Sequence, residues 1–462
     1  MNNKVILIPK GKLPEDKIEC YEYLHAYFPD HVIDSLTSNE DYWNINLSKQ
    51  VFNHCENIID NLDWLKISEK ECPMFFLLGE NFFFCLSEAL IPYGWSVFFS
   101  KNNFLYDKTI TLLHLDSHRD LMRTRIRVND NNVWQDLITK NELDFKLPNS
   151  ILEAVDSGAI GIGSMVTPLI HFLPFLTVAH YNPSVKNEHF SLLEPILIKD
   201  NFLLENAKVM SNKFTECENI ANYFESSSIA NVVSMCSEGD YILLHIDMDS
   251  LNNRYNGDSD WHLIEGYDPN IIEQFNVIDQ LLNHITIKGL ARKIIHTSIG
   301  ISPSFYPSEY WKLGLKYLIS SLIDAGINLI DLKSKLFSSE IKFFNNMFPS
   351  QVTLTQRKSK CHEEKENHYW HVFYRGNRAG KVNINYDGKE ASINVQLNKA
   401  YQGLGIGKAA FYLACKMSSH NIVYACIRKN NLASKKAAEA AGFIELRIDK
   451  KHTQRKMIWI RL

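Results

Sequence analysis

Short apolar runs rich in branched and aromatic residues punctuate the first 335 positions of the chain. Val5–Ile8, Phe75–Leu78, Thr109–Leu115, Pro195–Ile198, Tyr241–Ile246, Lys293–Ile299 and Ile327–Leu332 read as strands, continuous rather than alternating. Between several of them the apolar spacing turns helical, as in Ile271–Ile285 and in Ser308–Ile323, which opens on a serine able to cap it. Strands alternating with helices predict an α/β fold, a mostly parallel sheet covered on both faces. In such sheets ligands bind at the carboxyl ends of the strands. No internal repeat or low-complexity tract is visible, and Lys333–Ser350 reads as a connection.

After Gln351 the pattern changes. Gln351–Lys358, His368–Arg375, Lys381–Tyr386 and Ala391–Leu397 read as consecutive antiparallel strands separated by polar turns, one of them Asp387-Gly388. A Gly-rich turn, a helix (Lys408–Met417), a strand (Asn421–Ile427), a second helix (Leu432–Ala441) and closing strands follow. The expected organisation is a first domain over 1–335, a linker over 336–350 and a compact α+β domain over 351–462.

A length of 462 residues, 45% of them hydrophobic and 22% charged, fits two or three domains and excludes a disordered or fibrous chain. No apolar run reaches the roughly 18 residues of a membrane span. The opening MNNKVILIPKGK is too short for a signal-peptide core, and the nine scattered cysteines form no C-x-x-C pair, so a cytoplasmic protein without disulfides is expected. Charge is divided unevenly. Of 49 basic and 53 acidic side chains, 21 and 8 fall after residue 350, leaving 28 and 45 before it: net +13 against −17. An acidic body suits metal ions or a cationic substrate, and a basic one suits a phosphorylated cofactor. The dispersed lysines match no nucleic-acid motif, so neither nucleic acid nor membrane is expected as a partner.

The apolar strand ending in Leu115-Asp116-Ser117-His118-Arg119-Asp120 carries D-x-H-x-D, and the strand ending in Ile246-Asp247-Met248-Asp249 carries D-x-D. Buried carboxylates at two strand ends repel one another, so a positive charge must sit between them. Hard oxygen donors with an imidazole match manganese or a similar divalent ion.

These motifs and their order resemble the arginase (ureohydrolase) superfamily over roughly residues 70–335, and "LLHLDSHRDL" and "LLHIDMDS" resemble its peptide arginases more narrowly. The resemblance implies a three-layer α/β/α fold and a two-manganese centre. Asp116, His118, Asp120, Asp247 and Asp249 would be the ligands, with His118, Asp120 and Asp249 counted as catalytic. It also implies hydrolysis of peptidyl arginine to ornithine and urea. That family places a further histidine ligand upstream, yet no histidine lies between His54 and His114. Asn81 or Glu80 could replace it, or His114 could turn inward; otherwise His114 and His245 support the ligands through hydrogen bonds. Glu265 or Glu309 could hold the guanidinium, and His171, His180 or His296 could move protons. A competing reading on the same kind of fold is a single-metal deacylase, and a third is a binding protein without catalysis.

In the basic body, Gln402-Gly403-Leu404-Gly405-Ile406-Gly407-Lys408 follows a strand and opens a helix, where free N–H groups suit a pyrophosphate. With Asn431, Ser434 and Ala441-Gly442-Phe443 it resembles the GNAT acetyltransferase superfamily over about residues 351–462. Acetyl-CoA would then bind along Val395–Leu397 and on Gln402, Gly403, Leu404, Gly405, Ile406, Gly407, Lys408 and Asn431. Many members place a tyrosine acid where Ala438 stands here, which leaves that role to Tyr424 or to water. Together the two resemblances imply a precursor-peptide arginine converted to ornithine and then acetylated.

Overall fold

The structure is a computed structural model, and it describes residues 4–28, 31–49, 62, 64–200, 207–217, 221–236, 241–257, 266–337, 351–356, 367–446 and 453–461. The chain divides into two compact units, Met1–Lys333 and Ser334–Leu462. Most of the expected linker, residues 338–350, lies outside the described residues.

The first unit opens with a three-stranded antiparallel sheet, β1 (Lys4–Pro9), β2 (His31–Ser38) and β3 (Tyr42–Lys49), in the order β1-β3-β2. Helix α1 (Lys17–Tyr27) is capped by Asp16, whose carboxylate accepts from the N–H groups of Ile18 and Glu19. Ile6, Ile8, Leu24, Trp43 and Ile45 close an apolar cluster of its own. The run Val5–Ile8 is therefore a strand, but of a separate antiparallel sheet and not of the parallel one expected to contain it.

The main sheet has twelve strands in the order β4-β5-β15-β14-β6-β10-β13-β11-β12-β7-β8-β9. They are β4 (Phe76–Leu78), β5 (Phe82–Cys85), β6 (Ile110–Leu115), β7 (Ile126–Val128), β8 (Trp134–Asp136), β9 (Glu142–Leu143), β10 (Leu176–Tyr181), β11 (His189–Asp200), β12 (Ala207–Glu216), β13 (Tyr223–Ser226), β14 (Tyr241–Asp247) and β15 (Ile294–Gly300). The six from β5 to β13 in that order are parallel, and the rest pair antiparallel. Pro195–Ile198 accordingly belongs to an antiparallel wing, because β11 and β12 form a long ribbon with one half-solvated face. Ile327–Leu332 is not a strand: the chain turns at Gly326 (φ +93) and is helical over 330–337. A run this short cannot by its hydrophobicity alone distinguish a strand from a buried helix.

β6 is buried at every position. Its Leu112, with Leu243 of β14, packs into a cluster formed by α2 (Ile91–Lys101), α3 (Pro148–Ser157) and α4 (Thr167–Phe172). Their neighbours Leu113 and Leu244 point to the other face. A second helical group comprises α5 (Ile229–Met235), which packs on β10 and β13, α6 (Ile271–Ile287) and α7 (Ser308–Asp324).

The second unit is a seven-stranded sheet in the order β16-β17-β18-β19-β20-β22-β21. Its strands are β16 (Val352–Gln356), β17 (His368–Tyr374), β18 (Asn377–Tyr386), β19 (Ala391–Leu397), β20 (Ile422–Arg428), β21 (Ile444–Leu446) and β22 (Gln454–Ile460), with helices α8 (Ile406–Met417) and α9 (Leu432–Ala440). Among the described residues only β19 and β20 run parallel, and they share a single register pair, Ser392 with Tyr424. Beyond it the two strands part.

Close packing of α2 on β5 sets the position of the loop between them. A Cβ on Gly94 would lie 2.4 Å from Cγ of Phe83. Gly94→Val is expected to destabilise the first unit by about 2 kcal/mol through overpacking, measured as a lowered urea midpoint in near-ultraviolet circular dichroism.

Candidate functional sites

Parallel pairing of β6 with β14 sets His114 beside His245 and Leu115 beside Ile246, so the next residues bring Asp116 and Asp247 to the same sheet end. β15 pairs with β14 through Gly300 and Asp247, and with β5 through Gly300 and Cys85. The loop leaving β5 therefore delivers Glu88 to that same end, where Glu88 is 1% exposed. Asp116, Asp120, Asp247 and Asp249 are buried as well, while His118 keeps a third of its side chain exposed.

Three of these carboxylates are held on one side. The backbone N–H of His118 donates to Oδ1 of Asp116 at 2.6 Å, and that of Ser117 donates to Oδ1 of Asp249 at 3.0 Å. The Ser302 hydroxyl donates to Oδ2 of Asp247 at 2.7 Å. Other oxygens have no hydrogen-bond partner although they are buried: Oδ2 of Asp116, Oδ2 of Asp120 and Oε2 of Glu88. Nδ1 of His118 lies 2.9 Å from Oδ2 of Asp249 and 3.5 Å from Oδ1 of Asp116. Among the described residues three groups of donor atoms lie close enough to share one ion: His114 with Asp116 and His245, Asp116 with His118 and Asp249, and Glu88 with Asp116 and Asp247. Buried donors left unpaired in this way carry a large desolvation penalty, which a divalent cation removes. The residues present fit such an ion.

The backbone is strained around the same point. Of seven non-glycine residues with positive φ among the described residues, Asp120, Asn256 and Ser302 touch this site. Asp120 at φ +53 turns its carboxylate back towards Asp116. Such residues cluster where function holds them against their preference.

Burial first, and then Asp249 and Asp247, push the Asp116 carboxyl well above its usual range. Burial and Asp249 raise Asp247 to about 7. Burial opposes protonation of His118, yet Asp249 and the other carboxylates raise it to about 9.

His114 and His245 stack at 5.0 Å with Nδ1 atoms 2.8 Å apart, so one donates to the other. Nε2 of His114 is 3.7 Å from Asp116 and 4.0 Å from Asp120, and has no hydrogen-bond partner. His180 supports the centre from behind: Nε2 is 3.1 Å from the Asp116 carbonyl and Nδ1 is 2.9 Å from the Tyr223 hydroxyl. Burial holds it neutral, near 4. His171 bonds the Ser211 carbonyl at 2.9 Å, and His296 lies at the start of β15 against Phe98, away from the strand ends that carry the acids. Glu309 is engaged by Arg254 at 2.6 Å. Glu265 lies outside the described residues. Glu80 and Asn81 are exposed and precede β5, at the wrong end of the strand for the site. Glu88 arrives there instead. Its only sequence signal was one acid within the apolar Cys85–Leu90 stretch.

In the second unit, β19 ends at Leu397, whose carbonyl accepts from Gln402 at 3.2 Å. Gly403 (φ +78) and Gly405 (φ +75) take left-handed conformations, and Gly405 caps α8. Nothing lies within 4 Å of a Cβ built on Gly403, and Leu404 is exposed. Ile406 is buried in the core, so only its backbone faces the turn. Gly407 and Lys408 are half-buried in the first turn of α8, and Val395 and Leu397 pack partly on the core. Asn431 caps α9 by accepting from the Ser434 N–H at 3.1 Å. Ala438 is buried. Tyr424 sits where β19 and β20 part, with Nζ of Lys456 4.3 Å from its ring and Lys456 2.6 Å from both Glu390 oxygens. Burial and Glu390 push its phenol up, so it holds its proton at neutral pH.

Without metal, the raised Asp247 couples folding to pH. The carboxyl has an unfolded value of about 4 and a folded value of about 7. Its contribution is therefore complete below about pH 4 and is lost as pH rises through about 7. Urea unfolding of chelator-treated protein is expected to show lower stability at pH 7.5 than at pH 5, and Asp247→Asn should flatten that slope.

Residues 334–443 match the Acetyltransferase (GNAT) family. Similar solved structures include the acetyltransferase of GNAT family from Streptococcus pneumoniae, 17% identical over 21% of this chain and 66% of that one, with a TM-score of 0.18. A spermidine N-acetyltransferase SpeG chimera from Vibrio cholerae and hSSAT is 16% identical over 24% of this chain and 96% of that one, at 0.19. Campylobacter jejuni N-acetyltransferase PseH, in complex with acetyl coenzyme A, is 16% identical over 27% and 80%, at 0.19. No curated protein matches the sequence. No helix among the described residues is long and apolar enough to cross a membrane. The family match and the glycine turn between β19 and α8 make the second unit an acetyltransferase domain of the GNAT family.

Proposed function

We propose that the first unit is a manganese-dependent peptide arginase and that the acetyltransferase domain acetylates the ornithine it releases. The observation that carries the first half is the convergence of Asp116, His118, Asp120, Asp247 and Asp249 on adjacent strand ends, with buried oxygens left unpaired. These residues, in two overlapping sets, would hold the ions. Manganese supplies, when bound, the Lewis acidity that makes hydroxide available near neutral pH. His118 is the exposed member of the set and lies 5.0 Å from the Phe305 ring, so the substrate enters past these two side chains. The acidic balance of residues 1–350 favours a cationic side chain.

The order of the two reactions follows from nitrogen chemistry. A guanidinium is always charged and is a poor nucleophile. Adding water and removing urea leaves ornithine, whose δ-amine can lose its proton and attack the acetyl-CoA thioester, releasing CoA. The amides around Gly403–Lys408 suit the pyrophosphate of that donor. The Tyr424 phenol can return a proton to the departing thiolate. Fusion in one chain raises the local concentration of the intermediate. Free arginine would need no second catalytic body, so the substrate is an arginine within a precursor peptide.

Arginine peptides incubated with manganese are expected to release urea, and Asp247→Ala should lower this by more than about a hundredfold. With acetyl-CoA the product loses CH₂N₂ and gains C₂H₂O, so exact-mass spectrometry is required to see the change. A single zinc per chain with no urea formed would instead identify a deacylase.

Gly405→Trp should abolish acetyl-CoA binding in calorimetry, because a side chain there is strained at φ +75 and fills the phosphate space. Urea release by the same variant should be unchanged, and an ornithine peptide should be acetylated by Asp247→Ala protein but not by Gly405→Trp.

A further inference from the structure

Glu88 enters the centre on the short helix Glu88–Leu90 that follows β5, an element absent from the two acidic motifs. Its Oε2 has no partner although the residue is almost wholly enclosed, and one of its carboxylate oxygens lies within 4.8 Å of donor atoms of both Asp116 and Asp247. Gly300 helps to make the space: a Cβ there would be 3.4 Å from Cβ of Glu88 and 3.6 Å from Oδ1 of Asp247. The second donor group contains His118 and Asp249 with the same Asp116. A third group joins Asp116 to His114 and His245, so Asp116 is common to all three, with Oδ1 beside His118 and Oδ2 unpaired, 3.7 Å from Nε2 of His114.

We propose that Glu88 is a ligand of this centre and that it makes two unlike cation positions, one held by the carboxylates of Glu88, Asp116 and Asp247 and one bearing the His118 imidazole. The proposal rests on the metal-dependent reading above. Three carboxylates make the Glu88 group a hard-oxygen set, suited to manganese, magnesium or calcium. The His118 position combines oxygen with imidazole and also accepts zinc, cobalt or nickel. Glu88, a carboxylate, stands where the resemblance called for an imidazole from the upstream segment. The competing role for Glu88 is a protonated acid that shares a hydrogen with Asp247 and holds no ion.

The test uses full-length protein stripped by chelator, reloaded with Mn²⁺ alone, desalted, and examined by elemental analysis and electron paramagnetic resonance. The intact protein should carry two manganese ions with an exchange-coupled spectrum. Glu88→Gln keeps the shape and hydrogen bonding of a neutral acid, and should carry one ion with an uncoupled six-line spectrum. Glu88→His should carry two again, with competition by Zn²⁺ at the second position strengthened by about tenfold or more. Circular dichroism confirms that each variant is folded. If Glu88→Gln keeps both ions and the coupled spectrum, the proposal fails and the arginase reading stands. If the intact protein binds no divalent ion, both fail together.

Discussion

Mutual repulsion among acids at one end of a buried sheet is the constraint around which the first unit is arranged. Glu88, Asp116, Asp120, Asp247 and Asp249 gather where water is excluded, and each ionised carboxylate there costs several kcal/mol unless compensated. The surroundings answer with fixed donors: the amides of Ser117 and His118 and the Ser302 hydroxyl. Behind them, Arg119 neutralises buried Glu225 at 2.5 Å, and Asn182 donates to the same carboxylate at 2.9 Å. That lets His180 remain neutral and grip the Asp116 carbonyl. Left-handed residues at 120, 256 and 302 show that the backbone itself is bent to keep the acids together. A fold that only needed stability would have placed apolar residues here.

Much of this centre was legible in the sequence because chemistry and pattern coincide at β6 and β14. Continuous apolar runs name the buried strands, and a strand that ends in alternating acids points them into one place. Glu88 was not legible, since a single acid beside Ser87 and Ala89 carries no periodic signal and becomes significant only when β5 pairs with β15. Asn81 and Glu80 misled for the same reason: sequence distance from the motif said nothing about which end of β5 they occupy. The antiparallel wing was also hidden, because Pro195–Ile198 is as apolar as a parallel strand while its partner β12 is exposed over its last four residues. Val5–Ile8 and Ile327–Leu332 show the same limit, as burial fixes hydrophobicity but not the partner that provides it.

The second unit was easier to read. Polar turns separate strands that pair with their sequence neighbours, so local order and sheet order agree from β16 to β20. Glycines at 403 and 405 take the left-handed conformations that such a turn demands. What spacing could not supply was the role of each side chain. Asn431 is occupied as a helix cap, and Ile406 turns into the core and leaves only its amide to the turn.

The strand order has a consequence for how the first unit is made. β5 and β6 are consecutive in the chain, yet β14 and β15 lie between them in the sheet. During synthesis the sheet cannot close in sequence order; a gap must stay open beside β6 until the later strands emerge. His114 and His245, which meet at its centre, are 131 residues apart. Contacts of such range form slowly. The delay also keeps Asp116 away from Asp249 and Asp247, so their mutual repulsion is deferred until nearly all of the surrounding core is available to hold it.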